Sequence, residues 1–422
     1  MCWFARLAIA VAFSLACLAC SSGCTPDEPP PSAEPAAKVD ELSPAVRARL
    51  EALGYEPWVE EEAAPADIGV VEHEAARAAD GYVLFANRGA CSADLIDRRG
   101  KVVQRWSSPL PAKGYWSDTE LLPDGTLLVV GADANSSAKQ HGRRYLRALA
   151  WDSAVLWESE FPGHHDVEAL PDGMILTLSS TVRTVDYAGV ARTIIDDQII
   201  VAEPSGKPLQ TYSLFDVFTA TPGVELLRMD RRRIKVGGVK ASDIFHSNSI
   251  DRIDLPALAG EHPIYAAGNI LVSSRHQDTI AVLDPRQGKL VWWWGPGTLQ
   301  GQHSARWLAS GNILVFDNGL VRRRSRVLEI DPRTNVIVWE YPGAKEHRFF
   351  TPGGGAAQRL PNGNTLVTVT SRAELFEVAP AGDVVWRFVN QNHDPQKQRR
   401  ATIHASTWLP AEFVLPILTR QR

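Results

Sequence analysis

A short hairpin recurs along this chain, and its spacing constrains the fold more than any other feature. Strings such as LPDGMIL, ASGNILV and LPNGNTLV each place a tight glycine-containing turn before an apolar strand. The turn glycines are Gly81, Gly125, Gly173, Gly268, Gly311 and Gly363. They lie about 43 to 52 residues apart, with one doubled gap, and this period is typical of four-stranded propeller blades.

A second recurring string lies between those hairpins. LIDRRGKVVQRW, VLDPRQGKLVWWW, EIDPRTNVIVWEY and EVAPAGDVVWRF alternate apolar and polar residues and end on or beside tryptophan. We interpret them as the outer two strands of each blade, with tryptophans packed between blades. The sequence therefore predicts an all-β fold, a six-bladed β-propeller. The doubled gap between Gly173 and Gly268 leaves two alternatives open, a seventh blade or an elaborated blade with an inserted lid.

The C-terminal string IHASTWLP repeats the spacing of QHSARWLAS. Such a terminal strand could pair with the first blade and close the ring, which would remove the free sheet edges.

The N-terminal region has the pattern of an exported protein. Residues 1–24 combine Arg6, an apolar stretch and small residues, which indicates a signal peptide. The stretch LACLACSSGC resembles a bacterial lipoprotein cleavage region, with Cys20 as the expected lipidated residue and Cys24 as the alternative. We therefore expect a periplasmic or cell-envelope location with a lipid anchor.

Composition limits the remaining classes. Residues 25–68 are rich in Pro, Glu and Ala and predict a tether, with one short helix near Ala45 to Leu53, so the propeller domain should span residues 69–422. The net charge of -5 and the pI near 6.1 give no basic field for a nucleic-acid partner. Beyond Cys24 the sequence has only Cys91, so we expect no internal disulfide.

Several histidines recur at one position of the repeat. His165 and His303 each lie eight residues before a turn glycine, and His404 holds the same place in the C-terminal string. His246 should open the inner strand of its own blade, and Arg275 follows a turn glycine by seven residues. Imidazoles alone could ligate a metal, but the permanent charge of an arginine suits an oxyanion such as sulfate, phosphate or carboxylate. We therefore expect no metal here.

These strings resemble a known family. HHDVEALPDG, HSNSI, SSR before HQD, and QHSARW followed by GNILVFDNG are similar to motifs of the bacterial arylsulfate sulfotransferases, which are exported six-bladed propeller enzymes. The resemblance covers roughly Val70 to Thr407. It implies transfer of a sulfuryl group from an aryl sulfate ester to a phenol through a sulfohistidine. It also implies ping-pong kinetics, with no nucleotide sulfate donor and no cofactor.

The resemblance implies a role for each matching residue. The QH motif makes His303 the nucleophile. The HHD motif makes His165 a ligand of the sulfuryl oxygens and a proton donor, with His164 as the competing assignment. The HSN motif gives His246 a similar role, and the SSR motif makes Arg275 the anion clamp.

Other residues are expected to line the substrate site. His404 matches no family motif and is expected to line the channel, and Asn248 should orient an imidazole and contact substrate. The aryl rings need an apolar cleft, for which the loop candidates are Tyr115, Trp116, Phe245, Trp307, Phe349 and Phe350. The large N-terminal β domain and the cysteine pair of enterobacterial members have no counterpart here, which leaves dimerisation open.

Two other function classes stay open at this point. A noncatalytic envelope propeller could bind ligands or proteins, and a quinone-dependent propeller oxidoreductase would use the same architecture. The natural donor and acceptor depend on loop shapes that the sequence does not define.

Overall fold

Strands dominate the computed structural model, which describes residues 56–60, 68–108, 114–133, 143–229, 233–343 and 347–421. The expected signal peptide with Cys20 and the expected helix near Ala45 to Leu53 lie outside the described residues.

The first half of the chain contributes strands β1 (Trp58–Glu60), β2 (Gly69–His73), β3 (Tyr82–Asn87), β4 (Ser92–Asp97), β5 (Val102–Ser107), β6 (Gly114–Leu121), β7 (Leu127–Asp133), β8 (Arg143–Leu149), β9 (Val155–Glu158), β10 (His164–Ala169), β11 (Ile175–Tyr187), β12 (Val190–Ala202), β13 (Pro208–Ser213), β14 (Arg233–Val236) and β15 (Val239–Asp243). The second half contributes β16 (Ser247–Arg252), β17 (Ile270–Ser274), β18 (Thr279–Asp284), β19 (Lys289–Trp294), β20 (His303–Trp307), β21 (Ile313–Asp317), β22 (Arg326–Asp331), β23 (Val336–Tyr341), β24 (Ala356–Arg359), β25 (Thr365–Val369), β26 (Glu374–Val378), β27 (Val384–Val389), β28 (His393–Asp394), β29 (Arg399–Ala401) and β30 (Ile403–Leu409). The described helices are α1 (Leu214–Ala220), α2 (Ala411–Arg420) and the 3-10 helices Arg88–Ala90, Pro263–Tyr265, Arg275–Gln277 and Thr370–Arg372.

The described strands form six antiparallel blades. In chain order these are blade 1 (β30-β3-β4-β5), blade 2 (β6 to β9), blade 3 (β10 to β13), blade 4 (β16 to β19), blade 5 (β20 to β23) and blade 6 (β24 to β27). The first strand of each blade contacts the first strand of the next, so these inner strands surround a central channel. The prediction of an all-β, six-bladed propeller is confirmed.

The C-terminal strand closes the ring. Strand β30 pairs antiparallel with β3 from Tyr82 opposite Leu409 to Asn87 opposite Ile403, as the repeated C-terminal string predicted. Blade 1 therefore joins the last inner strand of the chain to the first strands of the repeat. Without β30, strand β3 would be a free sheet edge, so this pairing completes blade 1.

The doubled gap in the glycine pattern is an elaborated third blade. Strands β11 and β12 are 13 residues long, and they pair along their whole length from Ile175 opposite Ala202 to Tyr187 opposite Val190. The hairpin β14-β15 joins the extended part of β12 through a parallel pairing at Ile194. The insertion therefore builds a platform at one rim of the propeller.

Segments outside the repeat attach to its edges. Strand β2 pairs with the outer strand β27, while β1 lies inside the segment 25–68 and pairs with β29. Helix α2 packs Val414 and Ile417 against the core between blades 1 and 2. No helix in the described ranges is long and apolar enough to span a membrane.

The strand-end tryptophans mostly serve packing. Trp106 and Trp386 are completely buried, and Trp292 is nearly so, whereas Trp293 is 38% exposed. Each of the buried rings belongs to a hydrophobic cluster with residues of more than one strand. Their aromatic surface stabilises the blades, as the sequence pattern indicated.

Candidate active site

Each inner strand presents one residue at an equivalent position of the channel rim. The pairing across the hairpin defines this rim position. In blade 3, for example, Ile175 follows the turn glycine by two residues and pairs with Ala169, and the rim position is His165, four residues before Ala169. The same count applies in the other five blades. In blade order the rim position is occupied by His404, Ser117, His165, Asn248, His303 and Gly355. His404, His165 and His303 thus share one position of the repeat, whereas His246 directly precedes β16, two residues before Asn248.

Most inner strands are bulged where they reach this rim. The pairing register shifts between His164 and Val167, between Ser247 and Ser249, and between His303 and Arg306. A β-bulge leaves residues unpaired and redirects their side chains, and it is frequent beside active sites. The bulges therefore explain how side chains from several blades turn toward one another.

Four imidazoles converge at this end of the channel. The ring centroid of His165 lies 5.1 Å from that of His246 and 6.0 Å from that of His404. The His303 ring lies 6.0 Å from His404 on the other side. The structure thus brings together all four histidines that the sequence singled out at the rim.

Two amide contacts fix the orientation of His303. The Asn318 side chain donates through Nδ2 to the carbonyls of Thr351 and Gly354, both at 2.8 Å, so its Oδ1 is an acceptor. His303 Nδ1 lies 2.7 Å from this Oδ1 and therefore carries the proton. The Gly354 N–H faces Nε2 at 3.2 Å, which is consistent with a lone pair on Nε2.

The environment keeps this imidazole neutral. Burial, with a further contribution from the charge of Arg275, lowers the pKa of His303 to about 3. Arg275 itself is completely buried, and its guanidinium donates to the Pro352 carbonyl at 3.0 Å. A neutral imidazole beside a buried cation suits attack on an anionic electrophile.

Gly354 is required where the loop before β24 passes over the rim. Its φ is +67°, and an added Cβ would lie 2.6 Å from Thr370 Oγ1 and 2.8 Å from His404 Nδ1. Only glycine fits this close approach without displacing the site.

His246 belongs to a buried triad that the sequence did not indicate. Its Nδ1 lies 2.6 Å from a carboxylate oxygen of Asp243, and its ring lies 4.7 Å from that of His276. The ligand atoms of these three residues lie within 4.8 Å of one another, so the triad could hold a metal. However, His276 Nδ1 contacts the Asp243 carbonyl and its Nε2 lies 3.2 Å from Arg275 Nη1, so a guanidinium occupies the approach of a cation. We interpret the triad as orienting His246.

The two histidines of the HHD motif, His164 and His165, lie in different environments. His165 faces the other rim histidines, and burial together with those imidazoles lowers its pKa well below the usual value. His164 Nε2 lies 3.7 Å from Asp197, and burial lowers the pKa of His164 to about 3. Burial beside Asp243 raises the pKa of Asp197 to about 8, so its carboxyl is mostly protonated at pH 7.

Asn248 joins two blades at the rim. Its Nδ2 donates to the Gln302 carbonyl at 2.8 Å, while its buried Oδ1 has no partner among the described residues. This hydrogen bond ties β16 to the residue before His303.

A cleft opens beside the rim, between the platform of blade 3 and blade 2. Its volume is about 330 Å³, and His164, His165 and His246 lie in its wall. The apolar part of the wall consists of Phe161, Pro162, Val182, Ile195, Ile234 and Val236. An aromatic ring fits such a surface.

The aromatic residues expected to form this cleft lie elsewhere. Trp116, Phe245 and Phe349 are buried in hydrophobic clusters, and the Tyr115 ring lies under the Arg88 guanidinium at 4.3 Å. Trp307 lines a different cavity. The sequence left an elaborated blade open as an alternative but did not indicate that it lines this cleft, because the relevant contacts are between distant segments.

Two further residues could have been found from the repeat. Arg88 and Asn318, like Arg275, lie seven residues after a turn glycine. Arg88 is buried, contacts Ser117, and contributes to the lowered pKa of His404. Counting the same offset in every blade would have identified both.

Charged residues line the channel further along the same strands. Three residues beyond the rim position stand Glu120, Glu168, Asp251 and Arg306. Arg306 binds Asp166 through both guanidinium ends, at 2.7 and 2.9 Å. Burial raises the pKa of Glu120 to about 7 and that of Asp251 to about 6.

Comparison with known proteins gives one family. Residues 118–391 match the model of a family described as arylsulfotransferase (ASST). Among solved structures, a protein of unknown function from Bacteroides caccae is 15% identical, with 78% of this chain and 98% of that chain covered and a TM-score of 0.46. The periplasmic gluconolactonase of Pseudomonas aeruginosa is 12% identical, with 79% and 97% covered and a TM-score of 0.42. No curated protein matches the chain.

Proposed function

The chain belongs to the arylsulfotransferase family, and from this premise we propose that it moves a sulfuryl group from an aryl sulfate ester to a phenol, with His303 as the covalent carrier. Family membership supports sulfotransferase function in general. The observation that carries the finer proposal is the convergence of His165, His246, His303 and His404 beside the buried Arg275. The proposed reaction uses no nucleotide sulfate donor and no cofactor.

In the first step, the Nε2 lone pair of His303 attacks the sulfur of the donor. The bond between sulfur and the aryl oxygen breaks, and its electron pair leaves with the phenolate. The Asn318 contact supports this step because it holds the proton of His303 on Nδ1. The lowered pKa also supports it, since the nucleophile is neutral throughout the neutral pH range.

Negative charge spreads over the sulfuryl oxygens in the transition state. We assign Arg275 to these oxygens because its charge acts on His303 and its position is fixed by the contact with Pro352. A pre-organised donor of this kind contributes about 2.7 to 4 kcal/mol to a transition state.

The leaving phenolate needs a proton. A protonated His165 is not supported, because burial lowers its pKa well below the usual value. The adjacent Asp243 carboxylate favours a positive charge on His246, so we assign the proton donor to His246 and a neutral hydrogen-bonding role to His165.

In the second step, the oxygen of the acceptor phenol attacks the sulfur. The bond between nitrogen and sulfur breaks, its electron pair returns to Nε2 of His303, and the phenolic proton passes to His246. The two steps use the same cleft in turn, which gives ping-pong kinetics.

We also propose that this reaction takes place in the cell envelope. The support is the sequence pattern alone, with a signal peptide over residues 1–24, a lipid anchor at Cys20 and a tether over residues 25–68. The proposed partners are small molecules, an aryl sulfate and a phenol. No specific feature of the described residues favours the noncatalytic or the quinone-dependent alternative.

Mass spectrometry of the protein after incubation with an aryl sulfate tests the carrier role. We expect an adduct with the mass of one SO3 group on His303 and release of one phenol per protein before an acceptor is added. The His303→Asn variant should form no adduct and lose at least about 10³-fold in turnover. His262→Asn, a histidine at the N-terminus of the 3-10 helix Pro263–Tyr265, is the matched control and should retain activity. Unchanged turnover in His303→Asn would contradict the proposal.

A further inference from the structure

Arg144 stands apart from the other cations of the cleft. Arg144 is the second residue of β8, where it pairs with Ala132 of β7. Its side chain lines the same cleft as His164 and His165. Its Nη1 donates to Ser180 Oγ at 3.3 Å, and its Nε is buried with no acceptor among the described residues. A guanidinium has five N–H donors, so Arg144 keeps donors for a ligand that enters the cleft.

The acidic groups around Arg144 are engaged by other residues. Glu158 binds Arg143 at 2.6 Å and Arg147 at 2.5 Å. Asp197 accepts from the Ser247 N–H at 2.6 Å, and Asp243 binds His246. No carboxylate in the described ranges lies within 4 Å of the Arg144 guanidinium. Glu160 lies exposed at the rim of the cleft.

The position of Arg144 separates it from the sulfuryl group. Its charge acts on His164, His165 and Asp197, whereas the charge that acts on His303 is that of Arg275. The apolar wall of Phe161, Val182, Ile195 and Ile234 belongs to the same cleft. A ring that points its reacting oxygen at the rim histidines would therefore lie against apolar side chains, with Arg144 beside the ring.

We propose that Arg144 forms an anion subsite in the ring-binding cleft and that the protein prefers phenols with a carboxylate on the ring. This inference rests on the proposed function only in assigning the cleft to phenols. A planar carboxylate can accept two parallel hydrogen bonds from the edge of a guanidinium, and Arg144 lines the cleft with Ser180 as its described hydrogen-bond acceptor. The donor and the acceptor occupy the cleft in turn, so the subsite selects both.

Matched acceptors test the subsite in two ways. Calorimetric titration of the unsulfated protein with 4-hydroxybenzoate and with 4-hydroxybenzamide compares a carboxylate with its neutral counterpart. The kcat/KM of both acceptors is then measured with one aryl sulfate donor. We expect the wild type to favour the acid, and Arg144→Met to lower the ratio of acid to amide by about 10- to 100-fold while the amide retains its rate.

Two further variants define the contact. Arg144→Lys keeps the charge but not the paired donors, so it should restore part of the preference. Arg286→Gln is the control, because Arg286 lies between β18 and β19, is exposed and bound to Asp284, and does not line the cleft, so it should leave the ratio unchanged. Thermal melting verifies that Arg144→Met is folded.

The outcomes separate the subsite from the proposed reaction. An unchanged ratio in Arg144→Met, or an equal loss for acid and amide, overturns the subsite even if His303 becomes sulfated. If His303 is never sulfated but 4-hydroxybenzoate binds in an Arg144-dependent manner, the subsite stands and the proposed reaction fails.

Discussion

The histidine rim and the charged part of the channel are built from the same strands and yet hold opposite chemistry. At the rim, burial lowers the pKa of His303 to about 3, so the imidazole loses its proton. Three residues further along the inner strands, burial raises the pKa of Glu120 to about 7, so the carboxyl keeps its proton well into the range where a free carboxyl has lost it. In both places burial disfavours the charged form, and only the residue type decides the direction.

The two regions also differ in how their polar groups are held. In the charged region, Arg306 binds both oxygens of Asp166 and joins blade 5 to blade 3. At the rim, Asn318 and Asp243 each hold one nitrogen of an imidazole and so orient it. We infer that the charged region mainly stabilises the ring and the rim mainly serves chemistry.

Substitution of Arg306 by Met is the most severe test of this division. It leaves the buried Asp166 carboxylate without its bidentate partner, and breaking a buried pair of this kind costs about 3 to 5 kcal/mol. We expect the free energy of unfolding in urea to fall by that amount. Arg333→Met is the control, because Arg333 binds Asp331 in a similar manner on the surface and should change stability by less than about 1 kcal/mol. Equal effects in the two variants would refute a stabilising role of the charged region.

Substitution of Arg275 by Met tests the rim. We expect kcat/KM for an aryl sulfate to fall about 10²- to 10³-fold, because the variant lacks the cation assigned to the sulfuryl oxygens. Arg275→Lys should recover part of the rate and Arg275→Gln should not, whereas a purely structural role in donating to Pro352 would predict similar recovery in both. Arg372→Met is the control, since Arg372 lies on the corresponding 3-10 helix of blade 6 and is exposed. A rate in Arg275→Met near that of the wild type would remove the anion clamp from the mechanism.

The sequence predicted the repeat better than the contacts between repeats. The glycine turns gave the blades because each hairpin is local, and the same spacing located His165, His303 and His404. Arg306 and Asp166 are 140 positions apart in sequence, so nothing local indicated their pairing. The sequence likewise did not indicate the contact between Asp243 and His246.

The apolar cleft beside the rim was harder to predict for a different reason. Its apolar wall comes from the extended β11-β12 hairpin and from Ile234 on β14, which occupy the doubled gap where the repeat pattern gives no register. The sequence therefore favoured aromatic residues in loops, such as Phe245 and Phe349, but both pack in the core. The position of residues in an insertion cannot be predicted from the repeat, because the insertion has no equivalent in the other blades.

The rim and the charged region should contribute to stability in opposite pH ranges. His303 has its folded pKa lowered from 6.5 to about 3, so between these values the unfolded chain binds a proton that the folded protein does not. Stability from this group is complete above pH 6.5 and is lost as the pH falls toward 3. Glu120 has its folded pKa raised from 4.5 to about 7, so the folded protein holds a proton that the unfolded chain has released. Its stability contribution is complete below pH 4.5 and is lost as the pH rises toward 7.

Two variants that cannot titrate should therefore change the free energy of unfolding in opposite pH ranges. His303→Asn should flatten the loss of stability on the acidic side, because one buried group that resists protonation is gone. Glu120→Gln should instead raise stability at pH 8 by about 1 kcal/mol, with little effect at pH 4.5, since the amide cannot ionise. Urea unfolding at pH 4.5, 6 and 8 measures both effects. If Glu120→Gln stabilises the protein equally at every pH, the carboxyl of Glu120 does not hold its proton in the channel, and the contrast between the two regions is limited to the imidazoles.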